Sequence, residues 1–175
     1  MLASPNHGTP NNAVAHRLPA DAAAGGTAVR HRGTSSSSSL HDGASDVGFI
    51  TLQNAFRPSG GLASGKELAT RLHTNGEGGY ARLARWIVGG EVFSFAWHDH
   101  FWLPIFQFDL THKTLRQGLR PVLSELTDVM DGWALAAWFA QPNEALQGHS
   151  PVTMWLQRYP DVYQAARLQR YVMRG

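Results

Sequence analysis

A chain of 175 residues with 43% hydrophobic content is long enough for one ordinary domain or two small ones, with a core. Charged residues make up only 16%, against roughly 25% in an average soluble domain, and a net charge of +2 permits nucleic-acid binding without arguing for it. The absence of cysteine excludes disulfides and cysteine-ligated zinc.

Residues 1–47 are rich in Pro, Gly, Ala and Asn, carry the serine run Ser35 to Ser39, and hold no aromatic residue. Such a segment buries too little surface to offset its ordering entropy, so a disordered tail is expected. Its histidines, His7, His16, His31 and His41, are irregularly spaced; a metal-binding tail is the alternative to plain disorder. Met1 to Pro10 has neither the basic nor the apolar part of a secretory signal. The longest apolar run, Trp133 to Ala140, is far short of the roughly 20 residues that span a bilayer. A cytoplasmic protein with no membrane segment is expected.

Ordered chain is expected from Val47-Gly48-Phe49-Ile50 onward, with a first unit over 48–108. Ser64 and Glu67 form the S-x-x-E pattern of a capping box. The helix after it, Lys66 to His73, places Leu68, Ala69 and Leu72 on one face. A glycine-rich turn, Thr74 to Gly79, leads to a second helix, Tyr80 to Val88. Its spacing predicts Tyr80, Leu83, Ala84 and Ile87 inward and Arg82 and Arg85 outward. Two aromatic-rich stretches, Glu91 to Trp97 and His100 to Phe108, read as a hairpin turning at His98-Asp99, with Pro104 pointing to an edge strand.

Helix, turn, helix, hairpin resembles a small winged helix-turn-helix unit of the MerR and excisionase type. The resemblance implies that the second helix enters the major groove. The candidate DNA contacts are then Lys66, Arg71, Arg82 and Arg85, with Lys66 and also Arg57 as secondary contacts at the rim. The alternative is a helix pair and hairpin that only pack onto the C-terminal part.

A third region, 109–175, reads as helical. Asp109 to Gln117 is polar and expected to connect. Leu119, Val122, Leu123, Leu126, Val129 and Met130 mark an amphipathic helix with Pro121 in its first turn. Asp131 to Leu156 is densely punctuated. Asp131 caps an apolar helix and Pro142 stops it. Asn143 caps one turn over Glu144 to Gln147, Gly148 is its left-handed exit, and Ser150-Pro151 starts the next helix. Tyr159-Pro160-Asp161 breaks the chain before a last helix, Val162 to Met173, expected to bury Val162, Ala165, Leu168 and Val172.

The elements Pro142-Asn143, Leu146, Gly148 and Pro151, after an apolar helix containing Trp138, resemble the toxin-binding domain of Xre/MbcA/ParS-type antitoxins over roughly Phe106 to Gly175. Where that family usually has P-L-E-L-L, this chain has Pro151-Val152-Thr153-Met154-Trp155. The resemblance implies a RES-type, NAD-consuming toxin as partner, operator DNA for autoregulation, and a homo-oligomer. It implies a partner surface of Pro142, Asn143, Leu146, Gly148, Pro151, Trp155, Arg167, Arg170 and Arg174, with Leu146 as the inward anchor.

No cysteine nucleophile, G-x-S-x-G, phosphate loop or H-E-x-x-H is present. His98 and His100 suggest two metal ligands on one strand face, but a third is needed, and His112 and His149 qualify by residue type alone. A polar hairpin tip is the plainer reading. The expectation is an α+β protein with a disordered N-terminal tail, a small helix-turn-helix and β-hairpin unit, and a C-terminal helical bundle. It is expected to be a non-enzymatic antitoxin-like interaction protein without catalytic residues, cofactor or metal. The alternative is a stand-alone DNA-binding regulator that dimerises through its C-terminal domain.

Overall fold

The computed structural model describes residues 39–76 and 78–175, with side chains from Asp46 onward. In chain order the elements are α1 (Ser39–Phe56), β1 (Leu62–Ser64), α2 (Gly65–Leu72), α3 (Gly79–Val88), β2 (Phe95–Trp97) and β3 (His100–Pro104). Then follow β4 (Phe108–Asp109), β5 (Thr114–Leu115), α4 (Leu119–Leu126), α5 (Gly132–Ala140) and α6 (Pro151–Arg174). The class is α+β, with small sheets and a majority of helix. The expected tail lies outside the described residues as far as residue 38, and so does Glu77. From Ser39 the chain is already helical, ahead of the start expected near Val47. α1 buries Phe49, Leu52 and Phe56 at i, i+3 and i+7.

The capping box of α2 forms in both directions. The Glu67 N–H donates to Ser64 Oγ at 3.3 Å, and the Ser64 N–H donates to Glu67 Oε2 at 3.0 Å. That backbone bond holds the Glu67 carboxyl below its ordinary value. α3 packs on α2 at Gly79, where a Cβ would overlap the Ala69 carbonyl. This closest approach sets the rotation of α3. Gly79 and Leu83 face inward, and Tyr80 is 62% exposed. The expected inward face of Tyr80, Leu83, Ala84 and Ile87 is therefore corrected: Ala84 is exposed as well, and Ile87 is only half-buried.

The hairpin turns at His98-Asp99, with Trp97 opposite His100, where the sequence places it. Both strands are shorter than expected, and a 3-10 turn, Ile105–Gln107, precedes β4. The sheet order is β1-β3-β2, so β3 is central and the edge position expected from Pro104 is corrected. Two features make a proline tolerable there. Toward β1, Leu62 faces Pro104, and the Ile105 N–H donates to the Gly61 carbonyl at 2.9 Å. Bonded and unbonded pairs alternate, so Pro104 falls on an unbonded pair, where no donor is required. Toward β2, the register carried one step past Phe95 sets Phe93 opposite Pro104. The donor that proline lacks comes from Gln107. Its Nε2 donates to the carbonyls of Phe93 (3.0 Å) and Pro104 (3.2 Å), and its Oε1 accepts the Phe93 N–H at 2.9 Å. This explains a fully buried glutamine in an apolar core.

The polar stretch after β3, expected as a connector, contains a second small hairpin, β4–β5. Asp109 Oδ1 accepts the N–H groups of Thr111 and His112, each at 3.0 Å. The His112 backbone bond is the main reason the Asp109 carboxyl is lowered to about 2. Phe106 sits at the centre of the core. It stacks with Phe56 of α1 at 5.9 Å and meets Phe139 of α5 at 5.0 Å and Trp155 of α6 at 5.8 Å. Residues on both sides of the expected boundary at 108/109 thus share one core, and residues 39–175 lie in one compact unit.

In the C-terminal region the Ala134 N–H donates to the capping Asp131 Oδ1 at 2.8 Å. α6 is kinked at Arg158 (φ −142°, ψ 50°), beside Pro160, at the break the sequence predicts. Its second stretch buries Val162, Ala165 and Ala166. Leu168 and Val172, expected inward, are 53% and 67% exposed. The opposing helix α4 ends at Leu126, and the groups that meet the end of α6 there are polar: Glu125 in the last turn of α4 and Asp128 just after it.

Candidate functional site

The sequence nominates two surfaces, and the structure places each residue of both. On the first, Lys66 stands exposed at the start of α2 and Arg71 exposed in its last turn. Arg82 is half-buried. Its guanidinium donates to the Lys113 carbonyl at 3.3 Å and to Thr74 Oγ1 at 3.1 Å. Lys113 in turn donates from Nζ to the carbonyls of Arg71 (2.6 Å) and His73 (2.9 Å), which closes the C-terminal end of α2. Arg85 is exposed on α3 and also has an interaction partner. Arg57 lies in a 3-10 turn behind α1. Lys113 and Thr74 escaped the sequence reading. The visible signal was the D-x-T-H-K run, which marks an Asx-capped turn.

At the hairpin tip His98 lies in the turn at φ 49°, not on a strand, so it does not share a strand face with His100. Its ring packs on Trp97 at 4.1 Å, and Nε2 lies 3.5 Å from Asp46 Oδ1 of α1. His112 is tied to Asp109 at 2.9 Å, and His149 lies in the α5–α6 loop. Among the described residues no three His, Asp or Glu side chains are grouped to hold a metal ion.

The second surface is the α5–α6 loop with the end of α6. Asn143 Oδ1 accepts the Ala145 N–H at 2.9 Å and caps the 3-10 turn Glu144–Leu146. Gln147 (φ 57°) and Gly148 (φ 80°) are both left-handed. The Gly148 N–H returns to the Asn143 carbonyl at 3.0 Å, and the Asn143 N–H donates to the His149 carbonyl at 3.1 Å. A loop closed on itself in this way is fixed before any partner arrives. Ser150 occupies the cap position of α6, but its hydroxyl bonds the Thr153 hydroxyl at 2.8 Å instead of a backbone N–H.

Leu146 is buried as an anchor, Pro151 is buried, and Pro142 and Gly148 are exposed. Trp155 is only 4% exposed and lies edge-on to Phe106, Phe139 and Tyr159. It is a core residue, and its nomination as a partner contact is corrected. The arginines of α6 turn back into the chain as well. Arg170 pairs with Glu125 at 2.9 Å, which also accepts the Tyr163 hydroxyl at 3.3 Å, and Arg174 pairs with Asp128 at 3.1 Å. The Arg170 hydrogen bond lowers the Glu125 carboxyl and raises the Arg170 guanidinium. Arg167 is exposed beside them.

What remains outward is apolar: Leu168, Tyr171, Val172 and Met173, the first three at i, i+3 and i+4. A groove of about 330 Å³ runs beside them, lined by Ala145, Leu146 and Gln147 of the loop and by α6, which contributes Met154, Gln164, Ala165 and Leu168 together with the Arg158–Asp161 ion pair. The loop and the last helix, nominated separately, border one groove. No helix among the described residues is long and apolar enough to cross a membrane. No protein-family model, curated protein or solved structure matches the chain.

Proposed function

We propose that the chain is a non-enzymatic interaction protein of the antitoxin kind, which binds and neutralises a RES-type toxin through the α5–α6 loop and the second stretch of α6. The observation that carries this reading is the groove between the Leu146 turn and α6, continued by the exposed stripe Leu168, Tyr171 and Val172. Exposed contiguous apolar surface on a pre-ordered frame is what a protein interface needs, because little ordering entropy is lost on binding. Of the Pro142-Asn143, Leu146, Gly148 pattern behind the antitoxin resemblance, Leu146 lines that groove, in the turn that Asn143 caps.

The test is co-expression with the adjacent reading frame. The full chain should protect cells and co-purify with the toxin. Removing Tyr171 to Gly175 takes away all of the stripe but Leu168, together with the Arg174–Asp128 pair, and should release toxicity. Full protection by the truncated chain overturns the reading.

A second reading, autoregulation through DNA or a stand-alone regulator, is favoured by one observation. The order helix, strand, helix, helix, strand, strand, with β1-β3-β2 pairing, resembles that of a winged helix and is what supports this reading. Lys66 and Arg71 are the exposed cations for phosphate contact. Arg71→Ala should then reduce the salt slope of operator binding by about one unit. An unchanged slope removes Arg71 from the interface.

A further inference from the structure

We propose that the cleft between α3 and the β2–β3 hairpin is the face on which two copies of this chain dock about a two-fold axis. The cleft measures about 290 Å³. Tyr80, Leu83, Ala84 and Ile87 of α3 form one wall; Phe101 and Leu103 of β3 form the other. Tyr80 and Phe101 stand 62% and 65% exposed, and Val88 beyond them 89%. A soluble chain does not ordinarily leave two aromatic rings and a helix face facing each other across open solvent. Aromatic side chains of this kind are the usual anchors of protein interfaces.

The charge around the cleft selects the occupant. Lys66, at the start of α2, and Asp99, in the hairpin turn, border the same cleft. Nucleic acid or an acidic peptide would suit Lys66 and be repelled by Asp99; a basic partner would meet the reverse. A second copy satisfies both at once. In an isologous contact Lys66 of each chain faces Asp99 of the other, and Phe101 of each enters the wall formed by Tyr80, Ala84 and Ile87 of the other. Arg82 lies on the other side of α3, bonded to Lys113 and Thr74, and is not among the residues that line the cleft. Docking through α3 also removes that helix from any DNA groove, so this inference and the reader-helix reading compete for one surface. It is independent of the α6 interface.

The experiment is sedimentation equilibrium on the full chain, with circular dichroism to certify folding. The wild-type chain should be a dimer, and Phe101→Asp a folded monomer. Lys66→Glu and Asp99→Lys should each weaken the dimer by about tenfold, since one substitution breaks two symmetric pairs. The double variant Lys66→Glu with Asp99→Lys should return to near wild-type affinity. Rescue of the dimer shows that these two positions face each other in the contact. If Phe101→Asp fails to fold, the two exposed charge positions still decide the matter. A wild-type monomer, a dimer indifferent to both charge reversals, or a double variant without rescue each overturns the proposal. So does a DNA gel shift lost in Lys66→Glu while the mass stays that of a monomer, which would give the face to nucleic acid.

Discussion

α3 and the end of α6 make an instructive pair. Each was expected to reach outward with arginines, and each instead folds at least one arginine back into the chain and leaves apolar residues outside. On α3, Arg82 ties a neighbouring hairpin to the end of α2. On α6, Arg170 and Arg174 tie the helix to Glu125 and Asp128. The difference lies in what stands behind each helix. α3 rests on α2 through Gly79, with backbone against backbone. α6 beyond Ala166 has side-chain ion pairs holding it to α4. The comparison teaches that a basic helix face in a sequence of low charge content is first a source of internal donors. Only what remains after those donors are used tells which chemistry faces a partner.

Four substitutions break or sharpen that contrast. The largest effect is expected from Trp155→Ala, which removes the ring on which the first stretch of α6 rests. It should lower stability by about 4 kcal/mol in urea unfolding, the usual range for truncating a buried aromatic. A change near zero would mean that α6 docks without its aromatic anchor. Next comes Gln107→Leu, on the hairpin side. It leaves the buried N–H and C=O of Phe93 without partners, at about 3 kcal/mol for the two groups together. Arg82→Ala should cost about 1 kcal/mol, the worth of its neutral-acceptor bonds. A loss of DNA binding with no loss of stability would instead make Arg82 a reader and reverse the comparison on that helix.

The smallest effect is expected from Glu125→Gln, and it is visible chiefly as a pH dependence. The Glu125 carboxyl is lowered in the folded chain, so its contribution is fully present above 4.5 and fades as pH falls through the folded value. Acidification below that point should lower the melting temperature of the wild-type chain more than that of Glu125→Gln. Parallel melting curves would show that the Arg170 pair is too well screened to matter.

The parts legible in the sequence were those whose signals are local. Ser64 with Glu67, Asp131, Asn143 and Gly148 each act within a few residues, and each occupies the cap or turn position its chemistry dictates. The kink beside Pro160 belongs with them. α1 was hidden because Gly43 and Gly48 interrupt its pattern, although Phe49, Leu52 and Phe56 held the right spacing. The directions of Tyr80, Trp155 and Leu168 were hidden for another reason. The rotation of α3 is set by a contact with Ala69, and the exposure of Leu168 by the point at which α4 ends. Neither is a property of the helix that carries the residue. The groove shares this origin, since its two walls come from segments that each looked complete alone.

Pro104 and Gln107 carry one more consequence, which concerns how this sequence can change. The donor absent at one position is furnished by the other, three residues on, so the pair forms a single chemical unit spread over two codons. Pro104→Val restores a backbone N–H where the glutamine amide already sits, and two donors then contend for the Phe93 carbonyl. Gln107→Leu leaves that carbonyl with none. A route from this pair to an ordinary strand therefore passes through a defective intermediate whichever step is taken first, and the proline is held in place by a residue whose own side chain touches no solvent.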